Sequence, residues 1–314
     1  MGENRKMGIS HYIREIGRGK QGARSLQRAQ AADLFGQVLD GTVTDLEVGA
    51  FCLAMRIKGE TPQEMAGFLD ATAARLHRIP DSGRTVIVLP SYNGARRLPV
   101  LTPLLALLLA RRGMPVLIHG TSTESNRVPV SGVFEALGIH PLSAVRAIAP
   151  GEAAFLPTEL LCPGLKRLLD VRRVVGLRNS SHSLVKLMNP CEGDAVIVSS
   201  YTHPEYAVSM AAVFELTGAT ALLLRGTEGE VVADPRRLPQ MDGFIRGRRI
   251  ALQEGQRGTL TERTDLPREI DANTTAEYIH AVLRGDRPVP ASMAQQLEHI
   301  LRLAHESSRE LEAT

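Results

Sequence analysis

The chain has 314 residues, of which 43% are hydrophobic and 23% charged, a composition typical of globular proteins and a length that exceeds one ordinary hydrophobic core. The formal net charge of +3 does not by itself indicate a polyanionic partner. The N-terminal sequence carries charges where a signal peptide needs an apolar segment, and the longest apolar run, residues 100–110, is about half as long as a bilayer span. We therefore expect neither secretion nor a membrane partner.

The first quarter of the chain repeats its apolar residues with the 3.6-residue period of helices. Thr61, Pro62 and Glu64 combine an N-cap, a first-turn proline and an acid three residues on, which predicts a helix start. We predict a small helical domain over residues 1–80, with residues 156–190, which also have a helical period, packing back on it.

From residue 81 onward, short apolar runs alternate with helical patterns, which predicts βαβ units and a mostly parallel sheet in an α/β domain over residues 81–314. The predicted strands are residues 85–89, 115–120, 195–200 and 219–226, and the predicted closing helices, after a turn-rich segment, are residues 274–285 and 291–311. The fold class is therefore α/β, with a small N-terminal helical domain and a larger domain with a mostly parallel central sheet.

Two sequence features argue against common site types. The glycine pattern at residues 17–22 follows a helical segment rather than a strand, so a flexible basic loop is a better interpretation than a dinucleotide site. The three cysteines, Cys52, Cys162 and Cys191, are far apart and form no C-x-x-C pair, which favours a reducing cytoplasm and gives no metal site.

Positive charge is segregated along the chain. Residues 1–30 hold seven Lys or Arg against two acids, residues 84–127 hold six against one, and residues 166–186 hold six against Asp170 alone. This distribution matters more for a polyanionic partner than the net charge does.

The stretch PSYNGA at residues 90–95 follows the first predicted strand, where α/β enzymes often cradle a phosphate. Together with the order of elements, VFEALG at residues 133–138 and RRVVGLRNSSHSLVKLMNP at residues 172–190, it resembles the anthranilate phosphoribosyltransferase family. The family's corresponding motifs are G-T-G-G-D-G, V-L-E-A-L-G and R-R-E-L-G-x-R-T-x-x-N-x-L-G-P-L-x-N-P. The resemblance implies a helical domain joined to an α/β domain, with phosphoribosyl pyrophosphate bound at their junction in the family's enzymes.

The departures from the family's motifs fall on the pyrophosphate and metal ligands. Pro90 lacks an amide proton and Tyr92 is bulky where the enzymes have glycines. The lysine of K-H-G-N-R is Ile118, the phosphate-holding N-x-S-T falls on VLTP at residues 100–103, and the metal-binding Asp-Glu pair is replaced by GTEGE at residues 226–230. Magnesium-pyrophosphate chemistry needs these ligands. We therefore predict no catalytic residue, no metal and no cofactor, and a degenerate phosphate loop made of Ser91, Tyr92, Asn93 and Gly94.

PSYNGARR, IHG, YTHPEY at residues 201–206 and RGTEGE resemble the YbiB-like branch of this family, and the match extends through almost the whole chain. The branch implies a cytoplasmic homodimer, formed through the N-terminal helices, that binds DNA or RNA without sequence preference and has no transferase activity.

A nonspecific nucleic-acid binder needs cations spaced along a groove to neutralise several phosphates at once, and the planar fork of Arg suits this task. We predict a basic groove between the two domains. The predicted nucleic-acid-binding residues are Arg96, Arg97, Arg127, Lys166, Arg167, Arg172, Arg173, Arg178, Lys186 and Arg225.

Other interpretations stay open at this point. Any one of these arginines could be a solvated surface residue, Tyr92 could stack on a base or plug the loop, and His119 is expected to be structural, at a helix start. The alternative function is a phosphoribosyltransferase or nucleoside phosphorylase with an altered substrate, which the retained Arg178, Asn189, Pro190 and Glu230 favour. A third is a scaffold that binds another protein.

Overall fold

The computed structural model describes residues 8–19, 21–256, 258–259 and 265–312; Lys20, in the proposed basic loop, lies outside them. In chain order the elements are α1 (Ser10–Ile16), α2 (Arg28–Asp40), α3 (Asp45–Lys58), α4 (Pro62–Ala73), β1 (Val86–Ser91), α5 (Thr102–Arg111), β2 (Val116–Gly120), α6 (Val130–Ala136), β3 (Ala153–Pro157), α7 (Thr158–Leu161), α8 (Pro163–Val175), α9 (Ser181–Leu184), β4 (Ala195–Tyr201), α10 (Pro204–Thr217), β5 (Ala221–Thr227), β6 (Glu230–Ala233), β7 (Met241–Ile245), β8 (Arg248–Gln253), α11 (Ala272–Arg284) and α12 (Ala291–Glu312).

The described residues divide into two compact units. The first consists of the described part of Met1–Leu76 together with Cys162–Met188, and so combines α1 to α4 with α8 and α9. The second consists of His77–Leu161 and the described part of Asn189–Thr314.

The first unit is a helical bundle around an aromatic core. Phe35, Phe51 and Phe68 are fully buried, and the rings of Phe35 and Phe68 stack with their centroids 4.6 Å apart. The predicted start of α4 is confirmed: the amide of Glu64 donates to Thr61 Oγ1 at 3.2 Å, and the amide of Thr61 donates to the Glu64 carboxylate at 2.9 Å. This reciprocal pairing satisfies two donors that a helix end would otherwise leave unpaired.

The second unit contains an eight-stranded sheet with the strand order β3-β2-β1-β4-β5-β7-β8, and β6 pairs with β5. The five strands from β3 to β5 are parallel, and β7 and β8 continue the sheet antiparallel. The mostly parallel sheet is thus confirmed. Its carboxyl edge brings the ends of β1, β2 and β5 to the same side of the sheet, next to the point where the chain order reverses, and this is where ligands bind in open α/β sheets.

Four strands lie outside the predicted set: β3, and β6 to β8 within the segment predicted to be turn-rich. In the part of the chain that the structure describes, no helix is both long and apolar enough to cross a membrane.

Candidate phosphate-loop site and cationic surfaces

The loop after β1 begins at the carboxyl edge of the parallel sheet, where a phosphate would be expected. Tyr92, Asn93 and Gly94 are buried in the second unit, as is Ser91, the last residue of β1. Gly94 has φ +69°, and a Cβ built on it would lie 2.6 Å from the carbonyl oxygen of Val128. Only glycine fits this position without strain, so the glycine serves the loop's own packing.

A carboxylate of the protein occupies the first pair of loop amides. Oε1 of Glu230 accepts hydrogen bonds from the amides of Asn93, at 2.9 Å, and Gly94, at 2.8 Å. Its other oxygen accepts from the hydroxyl of Thr102 at 3.2 Å, and the residue is 3% exposed. Thr102 lies in the segment that the sequence resemblance aligns with the family's N-x-S-T motif, and its hydroxyl bonds this carboxylate.

A second carboxylate binds the amides that follow. Oε2 of Glu228 accepts from the amides of Arg96 and Arg97, both at 2.9 Å, and of Leu98, at 3.3 Å. Glu228 and Gly229 connect β5 to β6 and both have positive φ, 53° and 89°, as a type I′ hairpin turn requires. The five loop amides therefore bond two glutamates from one hairpin.

The electrostatic surroundings keep Glu228 ionised. Burial, the largest single influence, raises the pKa of its carboxyl, but the three backbone hydrogen bonds and the charge of Arg127 together outweigh it. The pKa of Glu228 consequently lies below its ordinary value, and the loop is bonded by an anion at neutral pH.

Tyr92 is a plug for the loop and is not available to stack on a base. It is 4% exposed, and its hydroxyl bonds Nδ1 of His119 at 2.8 Å and the hydroxyl of Thr158 at 2.9 Å. The prediction that His119 starts a helix is wrong, because it lies inside β2 and pairs in register with Pro90 of β1. The structural role of His119 comes from the buried hydrogen bond between its ring and the hydroxyl of Tyr92.

Burial lowers the pKa of His119 to about 3. Since the unfolded chain binds this proton near pH 6.5 and the folded chain does not, the stability present above pH 6.5 is lost as the pH falls toward 3. When the pH falls from 7 to 5, the wild type should lose about 2 kcal/mol of its free energy of unfolding through this histidine, and His119→Gln should not have this loss. Urea titrations at the two pH values measure the difference. His280→Gln, a change at an exposed residue of α11, should keep the wild-type pH dependence; equal losses in all three proteins would contradict the prediction.

The predicted cations of the second unit have different surroundings. Arg96 and Arg97 are exposed beside the loop, and Arg225 is exposed on β5. Arg127 has a structural role, since its guanidinium bonds Glu124 at 3.1 Å and the carbonyl of Gly94 at 3.2 Å. Arg96 and Arg97 therefore have exposed side chains, while their own backbone amides bond Glu228.

The predicted cations of the first unit collect on and after α8. Lys166 pairs with Asp170 one turn further along α8, and Arg167 donates to the carbonyl of Leu39 at 2.8 Å, which joins α8 to α2. Arg172 and Arg173 lie in the last turn of α8, and Arg173 lies 3.5 Å from a carboxylate oxygen of Asp170. Arg178 and Lys186, both half-buried, follow α8 and α9 respectively.

Among the described residues, no cluster of three or more His, Cys, Asp or Glu side chains could hold a metal ion. Glu230, the retained glutamate that favours a transferase, has both carboxylate oxygens bonded to the loop and α5. Sequence reasoning missed this role; the only available signal was the pair of glutamates in GTEGE beside a loop that had lost its glycines.

Comparisons with known proteins agree with this fold. The helical bundle domain of the Glycosyl transferase family matches residues 10–75. "Uncharacterized protein YbiB" of Escherichia coli (strain K12) is 42% identical over 298 residues, which cover 93% of this chain and 92% of that protein. An anthranilate phosphoribosyltransferase of Symbiobacterium thermophilum is 30% identical over 253 residues, covering 77% of this chain and 72% of the enzyme.

Solved structures give the same result for the fold. Anthranilate phosphoribosyltransferase of Thermus thermophilus superposes with a TM-score of 0.67 at 21% identity, covering 90% of this chain and 91% of that one. The Saccharomyces cerevisiae enzyme in complex with PRPP and Mg superposes with a TM-score of 0.65 at 13% identity, covering 94% and 86%.

The two units and the loop after β1 thus define a protein with a phosphoribosyltransferase-like fold. The chain belongs to the anthranilate phosphoribosyltransferase family, in its YbiB-like branch.

Proposed function

We propose that this protein binds nucleic acid without sequence preference, and that it does so on a transferase-like fold that no longer holds a sugar diphosphate. The observation that carries the proposal is the occupied loop: five amides that could bond a pyrophosphate bond Glu228 and Glu230 instead. Glu230 is 3% exposed and both of its carboxylate oxygens accept hydrogen bonds. This side chain would have to leave before a pyrophosphate could bind the same amides.

Two surfaces with arginine pairs support a polyanionic ligand. On the second unit, Arg96 and Arg97 flank the loop. On the first unit, Arg172 and Arg173 precede Val174 and Leu177, which are 88% and 43% exposed. Guanidinium groups next to exposed apolar side chains suit single-stranded nucleic acid, because phosphates need cations and unstacked bases need apolar surface.

A second candidate function is a phosphoribosyltransferase or nucleoside phosphorylase with an altered substrate. The named relatives with about 30% identity are anthranilate phosphoribosyltransferases, and one structure with the same fold holds PRPP and Mg. We rank this function second because the pyrophosphate ligands, which any acceptor substrate would share, are replaced or occupied. An altered acceptor site would not restore them.

One salt titration separates these functions. With about four phosphates contacted, the affinity for a labelled mixed-sequence single-stranded oligonucleotide should fall roughly fifty-fold between 50 and 200 mM salt, and a second sequence should behave alike. In parallel, the protein with magnesium, PRPP and a panel of amines and nucleobases should release no pyrophosphate. Salt-independent binding, or pyrophosphate release above the background of the same mixture without protein, would contradict the proposal.

We also propose that the protein is a homodimer through its N-terminal helices. Leu46, Leu53 and Ile57 on α3 are 84%, 46% and 61% exposed, and their spacing places them along one side of the helix. Such an apolar stripe is costly in water unless a partner covers it. Sedimentation velocity should give a dimer for the wild type and a monomer for Leu53→Asp with Ile57→Asp, whereas Val208→Asp, at an exposed position of α10, should leave the dimer intact.

A further inference from the structure

We propose that the amides of Arg96, Arg97 and Leu98 form a phosphate subsite, which Glu228 covers in the free protein and from which a nucleic-acid phosphate displaces it. This inference rests on the proposed function and names one contact of its binding surface. It concerns the second unit alone.

The geometry of these amides fits a phosphate oxygen. All three N–H groups point at one atom, Oε2 of Glu228, over 2.9, 2.9 and 3.3 Å. Successive backbone amides that converge on a single point make an anion-binding concavity, and hydrogen bonds to a charged oxygen are the stronger kind. A phosphate oxygen placed there would receive the same three bonds.

The side chains around the subsite favour a larger anion than one carboxylate. Arg96 and Arg97, which supply two of the amides, are exposed, so their guanidinium groups can reach the other oxygens of a bound phosphate. Arg127 and Arg236 also interact electrostatically with Glu228, but each is paired with a carboxylate of its own, Glu124 and Asp234 respectively. The exposed side chains of Arg96 and Arg97 are therefore the cations that a polymer with further phosphates would satisfy better than Glu228 does.

Glu228 is the glutamate suited to leave. Among the described residues only two, Glu228 and Arg246, have a positive φ without being glycine, and this conformation strains an L side chain. Glu228 is half-buried at a hairpin turn, whereas Glu230 is buried and bonds both the loop and α5. The chain therefore has one glutamate that fixes the loop and one that can exchange.

The test uses the full chain and its Glu228→Gln variant. Loss of the competing charge should raise affinity for a labelled single-stranded oligonucleotide about tenfold at 100 mM salt, and the extra contact should steepen the slope of log affinity against log salt by about 0.7. Glu215→Gln, which removes an exposed charge on α10, should change affinity less than about twofold and leave the slope unchanged. Glu228→Asn, whose residue type tolerates positive φ, repeats the test should Gln disturb the turn.

The outcomes are separable. Wild-type affinity and slope in both Glu228 variants, together with the same melting-temperature difference between inorganic phosphate and chloride as the wild type shows, would overturn the subsite and leave the proposed function standing. A larger rise in melting temperature from chloride to inorganic phosphate of equal ionic strength in the Glu228 variants than in the wild type, without any change in oligonucleotide binding, would assign the subsite to free phosphate and overturn the contact with the polymer. Absence of oligonucleotide binding by every protein, the wild type included, would overturn the proposed function itself.

Discussion

Glu230→Ala should lower the free energy of unfolding by about 3 kcal/mol, because it leaves the buried amides of Asn93 and Gly94 without an acceptor and each such loss costs roughly 1–3 kcal/mol. The hydroxyl of Thr102 loses its carboxylate partner as well. Glu230→Gln retains one carbonyl acceptor, so we expect roughly half the loss. Urea titration at pH 7, followed by far-ultraviolet circular dichroism, measures both changes.

The matched control for this prediction is Glu215→Ala. It removes the same side chain from an exposed position of α10, where a substitution should change stability by less than about 0.5 kcal/mol. If Glu230→Ala were as stable as this control, the carboxylate would not hold the loop, and the occupied amides would no longer support the proposed function.

The sequence predicted the fold well where burial and periodicity coincide. The predicted strand at residues 195–200 is β4, Ala195–Tyr201, because an apolar run bounded by turn residues has few other interpretations inside an α/β domain. The strand β8, RRIALQ, was not predicted because it is largely exposed and begins with two arginines. The strand β7, MDGFI, was not predicted because Asp and Gly interrupt its apolar pattern. Their strand conformation comes from pairing in the sheet, which overrides local propensity.

The candidate site was predictable in part, for a different reason. Pro90 and Tyr92 indicated from the sequence that the glycine loop is lost, because a missing amide proton and a bulky side chain change the backbone where they stand. The occupant was not predictable, because Glu230 and Gly94 are 136 positions apart and no local pattern reports a bond between a side chain and a distant amide. Arg167 shows the same limit, because its partner, the carbonyl of Leu39, depends on how α8 packs in the bundle. The pair of Lys166 with Asp170 is different, since the two residues lie one turn apart on the same helix and their spacing alone indicates the contact.

Arg172→Glu combined with Arg173→Glu should reduce oligonucleotide affinity about a hundredfold at 100 mM salt, since two cations at the end of α8 become two anions that repel the backbone. The salt slope should become shallower by about 1.4, the value for two lost phosphate contacts on a single strand. Fluorescence anisotropy with the labelled oligonucleotide used for the wild type measures both. Urea titration should show that the variant is folded under the conditions of the binding assay; the ion pair of Arg173 with Asp170, 3.5 Å long and partly exposed, contributes little to stability.

The control for overall charge is Arg248→Glu with Arg249→Glu, an equal change on adjacent residues of the antiparallel strand β8. The ion pair of Arg248 with Glu310 lies at the surface and contributes little to stability. Arg249 pairs with the buried Asp242, so urea titration must first show that this variant is folded under the conditions of the binding assay. A loss of affinity of less than about fivefold in this variant, against a hundredfold loss at residues 172 and 173, would locate the effect on α8, because long-range charge is screened over about 10 Å at this salt concentration. Equal losses in the two variants would mean that the nucleic acid senses only net charge, and the proposed contact at α8 would have to be withdrawn.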